Sequence, residues 1–181
     1  CSYNNLMSLL VTTSLPGLEE KEGNIYLGNW CSRDTYILKN KEVINYHWDD
    51  REKLKRDYDY LNNFYERLLI AATNKLNEIH NVNFSVNYWR IHMGFWIYNF
   101  ICSFFEKWEN INKAFKDRPD IKKTKILKNN FSIYYKDTFE FNNATTSEEW
   151  NYAIYCEILK YLNKKNIIKI DFENFTKNLS I

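Results

Sequence analysis

Five consecutive residues, His47, Trp48, Asp49, Asp50 and Arg51, bring together an imidazole, an indole, two carboxylates and a guanidinium. Histidine has an ordinary pKa near neutrality, and a neighbouring carboxylate can orient and polarise its ring as a general base. His47 with Asp49 or Asp50 is such a pair. A structural reading stands beside it. Asp is a favoured helix N-cap, and Asp49 precedes Glu52 by three places, at capping-box spacing. Trp48 can anchor a core, and Arg51 can join a first-turn ion pair. Capping, however, uses only one of the two carboxylates.

A second cluster lies in "YWRIHMGFW" (88–96), where Arg90 and His92 interrupt a strongly apolar run. A buried Arg must be paired or must face an anion such as phosphate or carboxylate. Pairing with Asp49 or Asp50 is the structural alternative. Gly94 would let another backbone or a ligand approach closely.

The elements that must position these groups follow from periodicity. "SLLVTTSLPGLEE" opens with a wholly apolar strand (8–13) broken by Pro16 and Gly17, and "NIYLGNWC" (24–31) repeats the pattern with Gly28 at the strand end. Uninterrupted apolar strands belong in a parallel sheet covered on both faces. "KEVINY" (41–46) is a weaker third strand, so HWDDR falls just past a strand end, where ligands bind in open α/β sheets. From Asp50 to His80, residues Leu54, Tyr58, Leu61, Tyr65, Leu68, Ala72, Leu76 and Ile79 recur every three or four places. The spacing predicts a helix of about 45 Å. Ser85 caps a second helix reaching about Phe115, and the two make an antiparallel hairpin. Such a hairpin carries Arg90 far from His47 unless the first helix breaks near Asn74, Asn77 or Asn81, which are poor helix formers. "TKIL" and "FSIYY" read as short strands, Thr146 and Glu149 as the capping box of a last helix, and "NIIKID" (166–171) as a final buried strand. The fold class expected is α/β: a Rossmann-like layered fold with a short parallel sheet and a long helical hairpin, in one domain spanning 1–181.

Composition removes several functions. The chain has 181 residues, 45% hydrophobic and 18% aromatic, enough for a real core. Its 25 Lys and Arg against 23 Asp and Glu leave a net charge of +2, too small a field to gather nucleic acid. Cys1, Cys31, Cys102 and Cys156 show no zinc-ligand spacing, so no metal is expected, and reduced thiols fit a cytosolic protein. No charged-then-apolar leader is visible. The most apolar run, "MGFWIYNFICSFF", has 13 residues, short of the ~20 of a membrane span. It reads as a buried helix or, failing that, an interfacial one. With four glycines in all and no glycine-rich phosphate loop, the chain offers no cofactor cradle of its own.

Several stretches, "LVTTSL", "LGNWC", "YHWDDREKL", "DYDYL", "YERLL", "LNEIH", "YWRIHMGFW" and "EEWNYAIYCEIL", stand in the order found in the N-terminal region of a bacterial family of transferases associated with O-antigen and surface-polysaccharide biosynthesis. The chain resembles that family over almost its whole length. Gly94-Phe95-Trp96 replaces the family's Gly-Pro-Trp, a departure that would straighten the helix. The resemblance implies a two-domain glycosyltransferase-type or glycerophosphotransferase-type enzyme. This chain would be its N-terminal, acceptor-side part, and the C-terminal half missing here would hold a nucleotide-activated sugar or polyol donor.

Under that resemblance the acceptor is a carbohydrate. The residue roles rest on chemistry and position and not on the family: His47 or Asp49 is expected to deprotonate its hydroxyl, and Asp50 to orient the base or cap the helix. Arg51, Arg90 and His92 meet anionic or polar groups, and Trp30, Trp48 and Trp89 stack on sugar faces. The expected location is cytoplasmic, at the inner face of the membrane, with no transmembrane segment and with peripheral association left open. The alternative is a non-catalytic docking module that uses the aromatic hairpin.

Overall fold

A computed structural model describes residues 8–16, 23–32, 41–128 and 131–174. Cys1 and Gly17, named above, lie outside them. The described chain divides into two compact units, one formed by 1–46 with 107–181 and the other by 47–106.

The first unit holds a five-stranded sheet in the order β3-β2-β1-β4-β5, with every neighbouring pair parallel. The strands are β1 (Leu9–Val11), β2 (Asn24–Tyr26), β3 (Glu42–Val43), β4 (Lys123–Lys128) and β5 (Lys169–Asn174). Register places Leu10 between Ile25 and Thr124, and the Thr124 hydroxyl donates to the Leu10 carbonyl at 2.9 Å. Leu10, Ile25, Tyr26 and Leu127 are almost fully buried, which is why these strands read as continuous apolar runs. The order reverses between β1 and β4, so the carboxyl ends of these two strands flank the position where open α/β sheets form a crevice.

Of the helices, α1 is Arg51–His80, α2 is Val86–Trp89 and α3 is Phe95–Asp117. Two more, α4 (Thr138–Thr145) and α5 (Glu148–Lys164), precede β5. Trp150, Tyr152, Ile154, Ile158 and Leu159 of α5 are buried in the first unit, and the Tyr152 hydroxyl accepts from the Leu127 amide at 2.7 Å. Ser147 caps α5 by accepting from the Trp150 amide, one residue later than the Thr146 cap expected from spacing. "FSIYY" forms no strand. Ser132 bonds both the amide and the carbonyl of Tyr134, a side-chain turn that competes with a sheet ladder, and Tyr134 is exposed. The short helix α4, capped by Asp137, was not expected.

In the second unit α1 runs unbroken for 30 residues, through Asn74 and Asn77. It stops at Asn81, whose left-handed backbone (φ 51°, ψ 50°) Asn tolerates better than most residues, and whose amide returns to Asn77 and Glu78. Ser85 then caps α2, as its position suggested. Asn77 fixes the turn instead of loosening it. Its amide nitrogen donates to the Phe84 carbonyl, and its oxygen accepts from the Phe84 amide and from the Trp89 indole at 2.8 Å. Contacts between the two helical stretches run in opposite order along the chain, Tyr60 with Phe105, Tyr65 with Tyr98 and Asn77 with Trp89. Between α2 and α3 the helix widens into a π turn at Arg90–Gly94, where the straightening effect of Phe95 had been expected. Among the described residues no helix is long and apolar enough to cross a membrane.

Candidate functional site

The HWDDR stretch forms a short 3-10 turn, His47–Asp49, leading directly into α1. Asp50 is the N-cap. Its carboxylate accepts the Lys53 amide at 2.9 Å, and that hydrogen bond holds its pKa below the usual range. Of the two carboxylates weighed for the cap, Asp50 takes it, and Asp49 is left exposed beside Arg51. His47 is 1% exposed, with its ring 4.6 Å from that of Trp48.

A carboxylate that does stand beside His47 is that of Asp57, with Oδ2 4.0 Å from Nδ1. The same oxygen accepts the Trp48 indole at 2.9 Å and pairs with Lys53, one turn earlier on α1. Asp57 was missed in the sequence, although one signal was present: a half-buried indole N–H needs an acceptor, and Asp57 lies at i+4 from Lys53 on the helix that the turn enters.

The YWR cluster is built differently. Arg90 makes a two-pronged pair with Glu66 at 2.6 and 2.7 Å, raising its own pKa and lowering that of Glu66. The pairing with Asp49 or Asp50 considered above is not made. Asp57 and Glu66 are nine positions apart on α1, about 13 Å along the axis and on opposite sides of the helix. The partners of His47 and of Arg90 are thus not brought together. Arg90 is a tie between helices, and the space that Gly94 leaves is filled by the Tyr65 hydroxyl. Trp89 is buried and clamped by Asn77, and His92 is exposed with its ring 4.5 Å from that of Tyr88.

At the carboxyl end of the sheet, Trp30 is 39% exposed. Its ring lies against Gly28, parallel to Tyr155 at 6.5 Å and edge-on to Tyr46. A side chain at position 28 would collide with that ring, which is the close approach that needs glycine there. Cys31 is buried and donates to the Val11 carbonyl, and burial pushes its thiol pKa up to about 12.

Just past β1, three donors converge on one atom. Oε1 of Glu148, in the first turn of α5, accepts the Thr13 hydroxyl at 2.8 Å, the Ser14 amide at 2.7 Å and the Ser14 hydroxyl at 2.6 Å. No motif or spacing had assigned chemistry to these three residues. Thr13 and Ser14 are neighbours, but Glu148 lies more than 130 residues away in the chain, and the fold of the first unit brings the end of β1 to the start of α5. No group of His, Cys, Asp and Glu among the described residues is arranged to hold a metal ion.

No curated protein and no solved structure matches the chain. The LIC12162 family of transferases matches residues 8–181, which include the HWDDR turn, the YWR cluster and the Thr13, Ser14 and Glu148 group. The chain belongs to the LIC12162 transferase family.

Proposed function

We propose that this chain is the acceptor-side part of a transferase that moves a sugar or glycerophosphate-type group from a nucleotide-activated donor to a carbohydrate acceptor in surface-polysaccharide biosynthesis. The carrying observation is the HWDDR turn, in which His47 sits against Asp57 while Asp49 stays exposed. In this reading His47 or Asp49 takes the proton of the acceptor hydroxyl, Asp57 orients the turn through Trp48, and Asp50 caps α1. The parallel sheet, with its order reversing between β1 and β4, supports a Rossmann-like half. The donor would be held by a second half outside these residues, at the cytoplasmic face of the membrane. Within the helical unit Trp48 is the tryptophan of the turn that can meet the acceptor, because Trp89 is buried.

The test is acceptor-dependent release of nucleotide by the complete protein from a panel of nucleotide-activated sugars and polyols. Release that rises on adding carbohydrate acceptors supports the reading. Absence of any acceptor-dependent release across the panel contradicts it.

A second reading, a docking module without catalysis, draws on Ile79, Ile91 and Phe95 of the helical unit, which are 63%, 83% and 62% exposed. Sedimentation separates the two. A monomer without concentration dependence disfavours docking through that surface, and reversible association abolished by Ile91→Lys supports it.

A further inference from the structure

We propose that Glu148, Thr13 and Ser14 form a binding site for a polyhydroxy ligand, with Oε2 of Glu148 accepting the ligand's hydroxyl groups. The proposal uses none of the HWDDR residues and takes from the proposed function only the expectation that the acceptor is a polyol or sugar. The three donors from Thr13 and Ser14 all meet Oε1, so the carboxylate is fixed in rotation and tilt. None of the described residues donates a hydrogen bond to Oε2, and the side chain is part-exposed. A carboxylate anchored through one oxygen can present the other to a ligand without first losing conformational freedom.

Position adds a second argument. Thr13 and Ser14 follow β1, which lies between β2 and β4, at the carboxyl edge where open α/β sheets take ligands. Chemistry adds a third. No described Lys or Arg pairs with Glu148, so the group repels phosphates and carboxylates and favours neutral O–H donors. The Ser14 hydroxyl, having donated its hydrogen to Oε1, keeps lone pairs that can accept from a second ligand hydroxyl. Trp30 adds an exposed aromatic surface past the carboxyl end of the neighbouring strand β2, and small-molecule sites combine a few convergent polar groups with apolar surface. A strut linking β1 to α5 would need the three hydrogen bonds but would place no demand on Oε2 or on charge.

The test is ligand-observed saturation-transfer NMR on the complete protein, with methyl α-D-glucopyranoside and glycerol as probes and cyclohexanol as the single-hydroxyl control. Glu148→Gln keeps an acceptor for Thr13 and Ser14 while removing the charge, and Ser14→Ala removes one hydroxyl, and with it one of the three hydrogen bonds to Oε1, while leaving the Thr13 hydroxyl, the Ser14 amide and the carboxylate's charge in place. The expected result is a saturable signal from at least one polyol and none from cyclohexanol. Affinity should be at least about tenfold weaker in Glu148→Gln and lower in Ser14→Ala, with melting temperatures of both variants near that of the wild type. No saturable polyol signal, or a signal undiminished in Glu148→Gln, overturns the site. Either outcome is read without any transfer assay, so failure here is distinguishable from failure of the proposed function.

Discussion

Ser14 gives both its amide and its hydroxyl to a single oxygen of Glu148, tying the end of β1 to the first turn of α5. Hydrogen bonds to a charged acceptor contribute about 1.5–3 kcal/mol each in favourable settings, less where water competes. Glu148→Ala leaves those donors without their acceptor and is expected to lower stability by about 2 kcal/mol in urea denaturation. Glu148→Gln should lose less than half of that, and equal losses in the two variants would show that the charge matters more than the geometry.

Asp57 is the hub of the entry to α1, holding Trp48 and Lys53 and lying beside His47. Replacing it by Ala removes the acceptor of a half-buried indole and is expected to cost about 1–3 kcal/mol. Asp57→Asn keeps an oxygen for Trp48 and should recover part of that. Urea titration read by tryptophan fluorescence checks the order, and identical stability of wild type and Asp57→Ala would contradict it.

For Arg90 and Glu66 the expectation runs the other way. Both are solvent-accessible, so the coupling measured in a double-mutant cycle should be small and should shrink further in high salt. Neither Arg90→Ala nor Glu66→Ala should change transfer. A large loss of transfer in Arg90→Ala alone would return Arg90 to the ligand-binding residues.

Asp120 offers a pH test. Hydrogen bonds from Arg118 and Ser8 hold its carboxyl pKa below the usual carboxylate range. A group whose folded pKa is depressed contributes its full stabilisation above its unfolded value, about 3.9, and loses it as pH falls through the folded value. The gap in melting temperature between wild type and Asp120→Asn should therefore stay constant above about pH 5 and close below about pH 4. Calorimetry across pH 2–7 reads it, and parallel curves throughout would contradict it.

Much of the fold was legible because periodicity and capping are local. Ser85, the extent of α1 and the presence of strands within 8–13 and 24–31 follow from residue spacing, although the strands are only Leu9–Val11 and Asn24–Tyr26. One cap slipped by a residue, from Thr146 to Ser147, and of the two candidates Asp49 and Asp50 the second caps α1, because adjacent capping-competent side chains compete and backbone geometry decides between them. "FSIYY" misled because its alternation looks like a strand while Ser132 closes a local turn. The sites were less legible. Asp57 supports the HWDDR turn from the second turn of the next helix, and Glu148 meets Thr13 and Ser14 across more than 130 residues of sequence, a contact that no local pattern encodes. The break sought at Asn74, Asn77 or Asn81 failed for a related reason: the low helix propensity of Asn77 is outweighed by its three hydrogen bonds across the turn.

The most direct measurement is the rate of acceptor-dependent nucleotide release by the complete protein carrying Asp49→Asn or His47→Gln, beside wild type and with melting temperatures recorded. Asp49 is exposed, so its variant should fold like wild type, whereas the buried His47 calls for the stability control. If the HWDDR turn holds the base, at least one variant loses about 10²–10⁴-fold in rate while remaining folded at the assay temperature. Folded variants that both retain wild-type rates would contradict a catalytic role for this turn.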